Sequence, residues 1–141
     1  MACSSSRAVC AERTTGVTTL VTGAAGFIGS HLARALLERG ASVVGIDNFN
    51  DYYDPAIKRA NARRLAEYPA FGLVEGDIRD RAAIGALFEA HPVRRVAHLA
   101  AMAGVRESVR QPHLYLDVNL TGTLNLLEAA QRAGVEVFVL A

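Results

Sequence analysis

Residues Thr22 to Gly29 read Thr-Gly-Ala-Ala-Gly-Phe-Ile-Gly and follow directly on an apolar run that ends at Val21. Glycines at this spacing let a backbone approach a diphosphate. Gly23 permits a sharp turn, Gly26 keeps a Cβ away from where a pyrophosphate lies, and Gly29 lets a helix pack closely on its strand. The N–H groups in the first turn of that helix then face the anion. Glycines also mark ordinary turns, but a strand before them, a helix after them and an acid further along make the pattern a dinucleotide site.

That acid is Asp47, about twenty residues on, where a carboxylate accepts both ribose hydroxyls of an adenosine. It favours NAD over NADP, because a 2′-phosphate would be repelled and no Arg or Lys adjoins Asp47 or lies inside the glycine loop. Asp77-Ile78 comes at the end of a later apolar run, on the same sheet edge as the loop in a parallel arrangement. There Asp77 either accepts an adenine amino group, with Ile78 beside the ring, or caps a turn, and spacing alone does not separate the two. Leu99-Ala100-Ala101 closes another run with small residues, which let a cofactor pass close but are also ordinary core.

Arg106 has a guanidinium fork suited to an anionic substrate; a surface salt bridge with Glu107 or Asp117 is the competing reading. His98 sits within an apolar run and reads as a core histidine. His31, His91 and His113 have no Cys or acid at nucleophile or metal spacing, so no metal site or catalytic triad is expected.

These residues need elements to hold them. A strand over Val17–Val21 leads to a helix carrying Ile28, Leu32, Ala35 and Leu36 and closing at Gly40. Further strands are expected over Ser42–Ile46, Phe71–Val74, Arg95–Leu99 and Val135–Leu140. Helices are expected over Pro55–Glu67, from an Asp80 cap through Ile84, Leu87 and Phe88, and from Pro112 through Leu120, Leu124, Leu127 and Ala130 to Gly134. Alternating apolar strands and helices predict an α/β fold, a Rossmann-type doubly wound parallel sheet of order 3-2-1-4-5, with the crevice between strands 1 and 4.

A chain of 141 residues, 51% hydrophobic, is sized for one domain. Its 15 basic and 14 acidic residues are dispersed and leave a net charge of +1, which gives no footprint for nucleic acid or an anionic membrane. Residues 1–16 read as a flexible extension, with Cys3 and Cys10 as free thiols, before a dinucleotide-binding domain over 17–141. No secretory signal or membrane span is read, so a cytoplasmic protein is expected.

The glycine motif, Asp47-Asn48-Phe49-Asn50-Asp51-Tyr52-Tyr53-Asp54-Pro55, Glu75-Gly76-Asp77-Ile78, Leu99-Ala100-Ala101 with Ala103-Gly104-Val105-Arg106, and Asn119-Leu120-Thr121-Gly122-Thr123 together carry a resemblance. The chain resembles the extended short-chain dehydrogenase/reductases, the NAD-dependent epimerase/dehydratase family, across residues 17 to 141. The Asp-Asn-Phe-Asn-Asp-Tyr-Tyr-Asp-Pro and Ala-Gly-Val-Arg segments point to its UDP-glucuronate 4-epimerase branch. The resemblance implies that Phe27 and Ile28 line the pyrophosphate, Asp47 and Asn48 hold the adenosine ribose, and Asp77 and Ile78 hold adenine. Ala100 and Ala101 would flank the cofactor, and Asn119 would support that side of the site. NAD would be the cofactor, a nucleotide-sugar the substrate and a homodimer the assembly.

Such enzymes also use a Ser or Thr after the fifth strand and a Tyr and Lys four residues apart, which move a proton while NAD takes the hydride. Here Tyr52, Tyr53, Tyr68 and Tyr115 are followed four positions later by Ala56, Ile57, Gly72 and Asn119. The resemblance therefore implies the N-terminal portion of a longer enzyme, a sheet incomplete at its C-terminal end, and no turnover by these residues alone. An exposed fifth strand would favour self-association and weak stability. A dehydratase or decarboxylase of the same family, or a non-catalytic dinucleotide-binding module, remains the alternative.

Overall fold

The computed structural model describes residues 17–141; Cys3, Cys10 and the expected N-terminal extension lie outside them. Five strands form one sheet: β1 (Thr18–Thr22), β2 (Ser42–Asp47), β3 (Phe71–Glu75), β4 (Val93–His98) and β5 (Val137–Leu140). Their order is β3-β2-β1-β4-β5 and every pairing is parallel, as the alternation of apolar runs and helices predicts. The fold is Rossmann-like.

Helices α1 (Phe27–Glu38) and α2 (Pro55–Leu65) cover one face of the sheet, where Val21, Ala33, Leu37, Val43 and Leu65 pack together. Helix α3 (Arg81–Ala90) and helix α6 (Thr123–Ala133) cover the other, around Leu20, Ile46, Ile84, Val96 and Leu126. Leu20 and Val21 are adjacent in β1 and both fully buried, one in each layer, which is why the strand reads as a continuous apolar run. Asp54 and Asp80 cap α2 and α3 by accepting first-turn backbone N–H groups, Asp80 from both Ala82 and Ala83 at 3.0 Å.

Four local expectations need correction. The sequence pattern leaves 101–111 without an element, yet a short helix, α4 (Val105–Arg110), forms there. The helical stretch beginning at Pro112 is not one regular helix: α5 (Pro112–Leu116) passes through a π-helical turn, Asp117–Gly122, into α6. The stripe Leu120, Leu124 and Leu127 also faces solvent, 63%, 55% and 46% exposed, while Gly122, Asn125, Leu126, Ala129 and Ala130 form the buried face. Both stripes have the helical period, and period does not say which one meets the core. The face through Gly122 turns inward where the neighbour is close: a Cβ on Gly122 would fall 2.6 Å from the Ile78 side chain.

Strand β5 starts at Val137 rather than Val135, because the Val135 N–H closes α6 on the Ala130 carbonyl at 3.0 Å, with Gly134 in the left-handed region. The other expected strands and helices differ from those observed by one or two residues at their ends.

Candidate functional site: a cleft at the carboxyl edge of the sheet

The carboxyl ends of β1, β2, β3 and β4 open on one cleft of about 510 Å³, in the size range of a small-molecule site. Gly23, Gly26, Phe27, Ile28, Gly29, Asp47, Asn48, Asp77, Ile78, Leu99, Ala100 and Ala101 all line it. Two predicted residues do not. Asn119 stands behind the cleft, and Arg106 lines a neighbouring one.

The glycine turn is shaped as its spacing predicts, with one addition. Gly23 has φ +66°, and a Cβ there would meet the Ala100 backbone N at 3.1 Å, so the turn also lets β1 and β4 approach at the cleft floor. Gly29 packs against the Gly23 carbonyl, which no side chain would permit. A Cβ on Gly26 would stand 3.1 Å from the Gly23 carbonyl oxygen and 3.4 Å from the Tyr53 hydroxyl, so this position is crowded by the protein itself as well as by any ligand. Gly26 heads α1 without a side-chain cap, which leaves first-turn N–H groups available to an anion. Phe27 and Ile28 are 75% and 66% exposed, the apolar rim of the cleft.

Asp47 is buried at the end of β2. Its Oδ2 accepts the Ala25 N–H at 3.1 Å, its Oδ1 accepts the Phe49 N–H at 2.9 Å, and Lys58 Nζ lies 3.6 Å from Oδ1. The carboxylate thus ties the glycine loop to the β2 loop and holds Phe49 at φ +50°, a conformation a non-glycine residue rarely adopts. No Arg or Lys adjoins Asp47 in the sequence, but the fold brings the Lys58 ammonium beside it. Lys58 comes from α2 and is buried with its ammonium on Asn50 Oδ1 at 2.6 Å and over the Tyr53 ring at 5.0 Å. Asn50, Tyr52, Tyr53 and Lys58 all line the cleft and were not singled out from the sequence. No spacing rule points to Lys58, which only the placement of α2 brings to the end of β2.

Asn48 and Asp77 are joined, with Asn48 Nδ2 donating to Asp77 Oδ2 at 3.0 Å. Asp77 does cap a turn, accepting the Arg79 N–H on Oδ1 at 2.9 Å, and the Arg79 side chain adds Nε to Oδ1 at 3.0 Å and Nη2 to Oδ2 at 2.8 Å. The guanidinium holds the carboxyl well below the usual carboxylate range.

His98 is a core histidine bonded on both ring nitrogens, to Thr22 Oγ1 at 2.7 Å and Thr123 Oγ1 at 2.9 Å, and burial lowers its pKa. Thr22 Oγ1 also accepts the Leu99 and Ala100 N–H groups, each at 3.0 Å, fixing the backbone that floors the cleft. Asn119 does the same for the next residues, accepting the Met102 N–H at 2.8 Å and donating to the Met102 carbonyl at 3.0 Å. Arg106, on α4, shares its own cleft with Asn48, Tyr52, Arg79 and Arg110; Glu107 pairs with Arg110 instead, and no salt bridge involves Arg106 among the described residues. Among those residues there is no cluster of three or more potential metal ligands, and no helix is long and apolar enough to cross a membrane.

A family model described as GDP-mannose 4,6 dehydratase matches residues 20–141. UDP-glucuronate 4-epimerase 6 of Arabidopsis thaliana is 49% identical over 123 residues, covering 87% of this chain and 26% of the plant protein. UDP-glucuronate 4-epimerase of Thermodesulfobacterium geofontis (strain OPF15) is 45% identical over 122 residues, covering 86% of this chain and 38% of the other. Among solved structures, UDP-glucuronic acid 4-epimerase from Bacillus cereus in complex with UDP-glucuronic acid and NAD superposes with a TM-score of 0.76 at 38% identity, over 86% of this chain and 38% of that one. Thermus thermophilus UDP-glucose 4-epimerase in complex with NAD gives 0.75 at 38% identity, over 86% and 36%. The chain thus spans well under half the length of the proteins it matches.

Proposed function

The chain belongs to the GDP-mannose 4,6 dehydratase family, within the extended short-chain dehydrogenase/reductases, and from that premise we propose that residues 17–141 form the NAD-binding part of a sugar-nucleotide 4-epimerase acting on UDP-glucuronate. One observation carries the reading: the glycine turn, Asp47 and Asp77-Ile78, separated in sequence, converge on a single cleft at the switch point between β1 and β4. The site fits the cofactor. The start of α1 is uncapped and Gly26 opens on the cleft where a diphosphate would lie, and Asp47 and Asp77 stand along its walls.

In this reading the α1 N-terminus binds the pyrophosphate, Asp47 and Asn48 orient the ribose, Ile78 packs on the adenine, and Leu99-Ala100-Ala101 flank the cofactor. Thr22 and Asn119 position that last segment through its backbone. Bound NAD supplies the transient hydride acceptor at sugar C4. The residues described here bind and orient it, and the Ser/Thr and Tyr/Lys acid–base groups belong elsewhere in the enzyme. Arg106 meets the anionic substrate, a role supported by its having no carboxylate partner among the described residues. The exposed leucines of α6 support a homodimer.

Calorimetric titration of the chain tests the cofactor reading: saturable binding of NAD, tighter than NADP, is expected, and no binding of either overturns it. Incubation with UDP-glucuronate and NAD should give no epimer; turnover would overturn the placement of the acid–base groups elsewhere. The family description favours a dehydratase as the second reading, and a 4-keto-6-deoxy product from the longer enzyme would select it.

A further inference from the structure

Asp77 has no acceptor position left. A carboxylate offers about four lone-pair sites on its two oxygens, and four donors already occupy them. Oδ1 takes the Arg79 N–H and Nε, and Oδ2 takes Arg79 Nη2 and Asn48 Nδ2, all between 2.8 and 3.0 Å. An adenine amino group arriving at Asp77 must displace one of them. The Arg79 backbone N–H is fixed by the turn, and Asn48 is held on its other side, where its Oδ1 accepts the Asn50 N–H at 3.1 Å. The Arg79 side chain is the member able to leave, 37% exposed and lining the neighbouring cleft.

We propose that Arg79 is a specificity-determining residue: its guanidinium fills the acceptor positions of Asp77 and yields them only when an adenine amino group takes its place. This rests on the cofactor reading above and deepens it. Exchange of one charge-assisted hydrogen bond for another yields little net free energy, so the amino group contributes less to affinity than an unblocked carboxylate would allow. A base with a carbonyl at the same position loses little either, because Arg79 can remain on Asp77 and donate to that oxygen. With Arg79 in place, the site discriminates weakly between adenine and hypoxanthine.

The test is calorimetric titration of the chain with NAD and with nicotinamide hypoxanthine dinucleotide. In Arg79→Met the amino group meets free lone pairs, while the hypoxanthine carbonyl meets a bare carboxylate. The affinity ratio of NAD to the hypoxanthine analogue should therefore rise roughly tenfold over wild type. Arg79→Lys, with a single donor, should give an intermediate ratio, and Asp77→Asn added to Arg79→Met should abolish the gain. An unchanged or smaller ratio in Arg79→Met overturns the proposal while leaving the cofactor reading intact. Failure of both dinucleotides to bind wild type overturns the cofactor reading and the exchange with it. A residue that merely supported the fold would change both affinities together and leave their ratio alone.

Discussion

The Thr22 hydroxyl donates to His98 Nδ1 across 2.7 Å, joining the carboxyl ends of β1 and β4 in the buried centre of the sheet. The donor direction follows from the rest of the cluster. Thr22 Oγ1 already accepts the Leu99 and Ala100 N–H groups, so its own proton goes to the imidazole. His98 then carries its proton on Nε2 and donates to Thr123, which donates to the Asn119 carbonyl at 2.7 Å. Thr22→Val would leave two backbone donors and a ring nitrogen unpaired. We expect a loss of about 2 to 3 kcal/mol in urea unfolding, because each stranded group costs on the order of 1 to 3 kcal/mol before relaxation. Thr22→Ser should recover most of it. A valine variant as stable as wild type would show that the cluster contributes nothing to joining the two strands.

The same cluster predicts a pH dependence. Burial holds the His98 imidazole below its ordinary pKa. The unfolded chain therefore binds a proton near its ordinary value, about 6.5, while the folded chain stays neutral there. Stability from this residue is fully present above about pH 6.5, declines as the pH falls, and levels off below the folded pKa. Denaturant titrations from pH 8 to pH 5 should show this slope in wild type and lose it in His98→Gln. Equal slopes in the two proteins would mean that the fold does not lower the His98 pKa.

The strands and the glycine turn were readable because both are local, and the sheet order followed from the alternation of strands with helices and the handedness of their crossovers. An apolar run that is buried on both faces looks the same wherever it sits, and Gly23 answers to the conformation of its own residue. Lys58 was missed for the opposite reason. Only the fold brings α2 back beneath the end of β2, so a lysine eleven residues from Asp47 becomes its neighbour. The saturation of Asp77 was equally invisible, since both an adenine-binding acid and a turn cap are written as Asp after a strand. Arg79, which decides between them, acts through side-chain geometry that spacing does not encode.

Lys58 changes what is expected of Asp47. A 2′-phosphate at the ribose would face the Asp47 carboxylate, with an ammonium 3.6 Å from Oδ1 neutralised by that same carboxylate. In Asp47→Asn the repulsion goes and the Lys58 charge becomes free to pair with phosphate. NAD should bind more weakly and the preference for NAD over NADP should shrink at least tenfold, equal to about 1.4 kcal/mol. Asn50 Oδ1 still accepts from Lys58, while the single amide oxygen can accept only one of the Ala25 and Phe49 N–H groups, so the variant should fold with a stability loss of about 1 to 3 kcal/mol. Titration calorimetry with both cofactors checks it, and an unchanged preference would remove Asp47 from the ribose.

Leu120, Leu124 and Leu127 form an apolar stripe along one helical face, continued by Leu116 at 53% exposure. Val105 and Val109 are more exposed still, on α4. A contiguous apolar patch of several hundred Å² would be uncommon on a monomer, which makes the α6 stripe the face to test for association. If that face joins two copies, Leu124→Gln with Leu127→Gln should shift sedimentation toward the monomer at a fixed concentration. The core should be untouched, because Leu126, Ala129 and Ala130 carry the packing on the opposite side of α6. The exposed strand β5 offers a rival contact through Val137, Val139 and Leu140. Val139→Lys separates the two: association lost in the lysine variant and retained in the double glutamine variant would place the contact at the sheet edge rather than on α6.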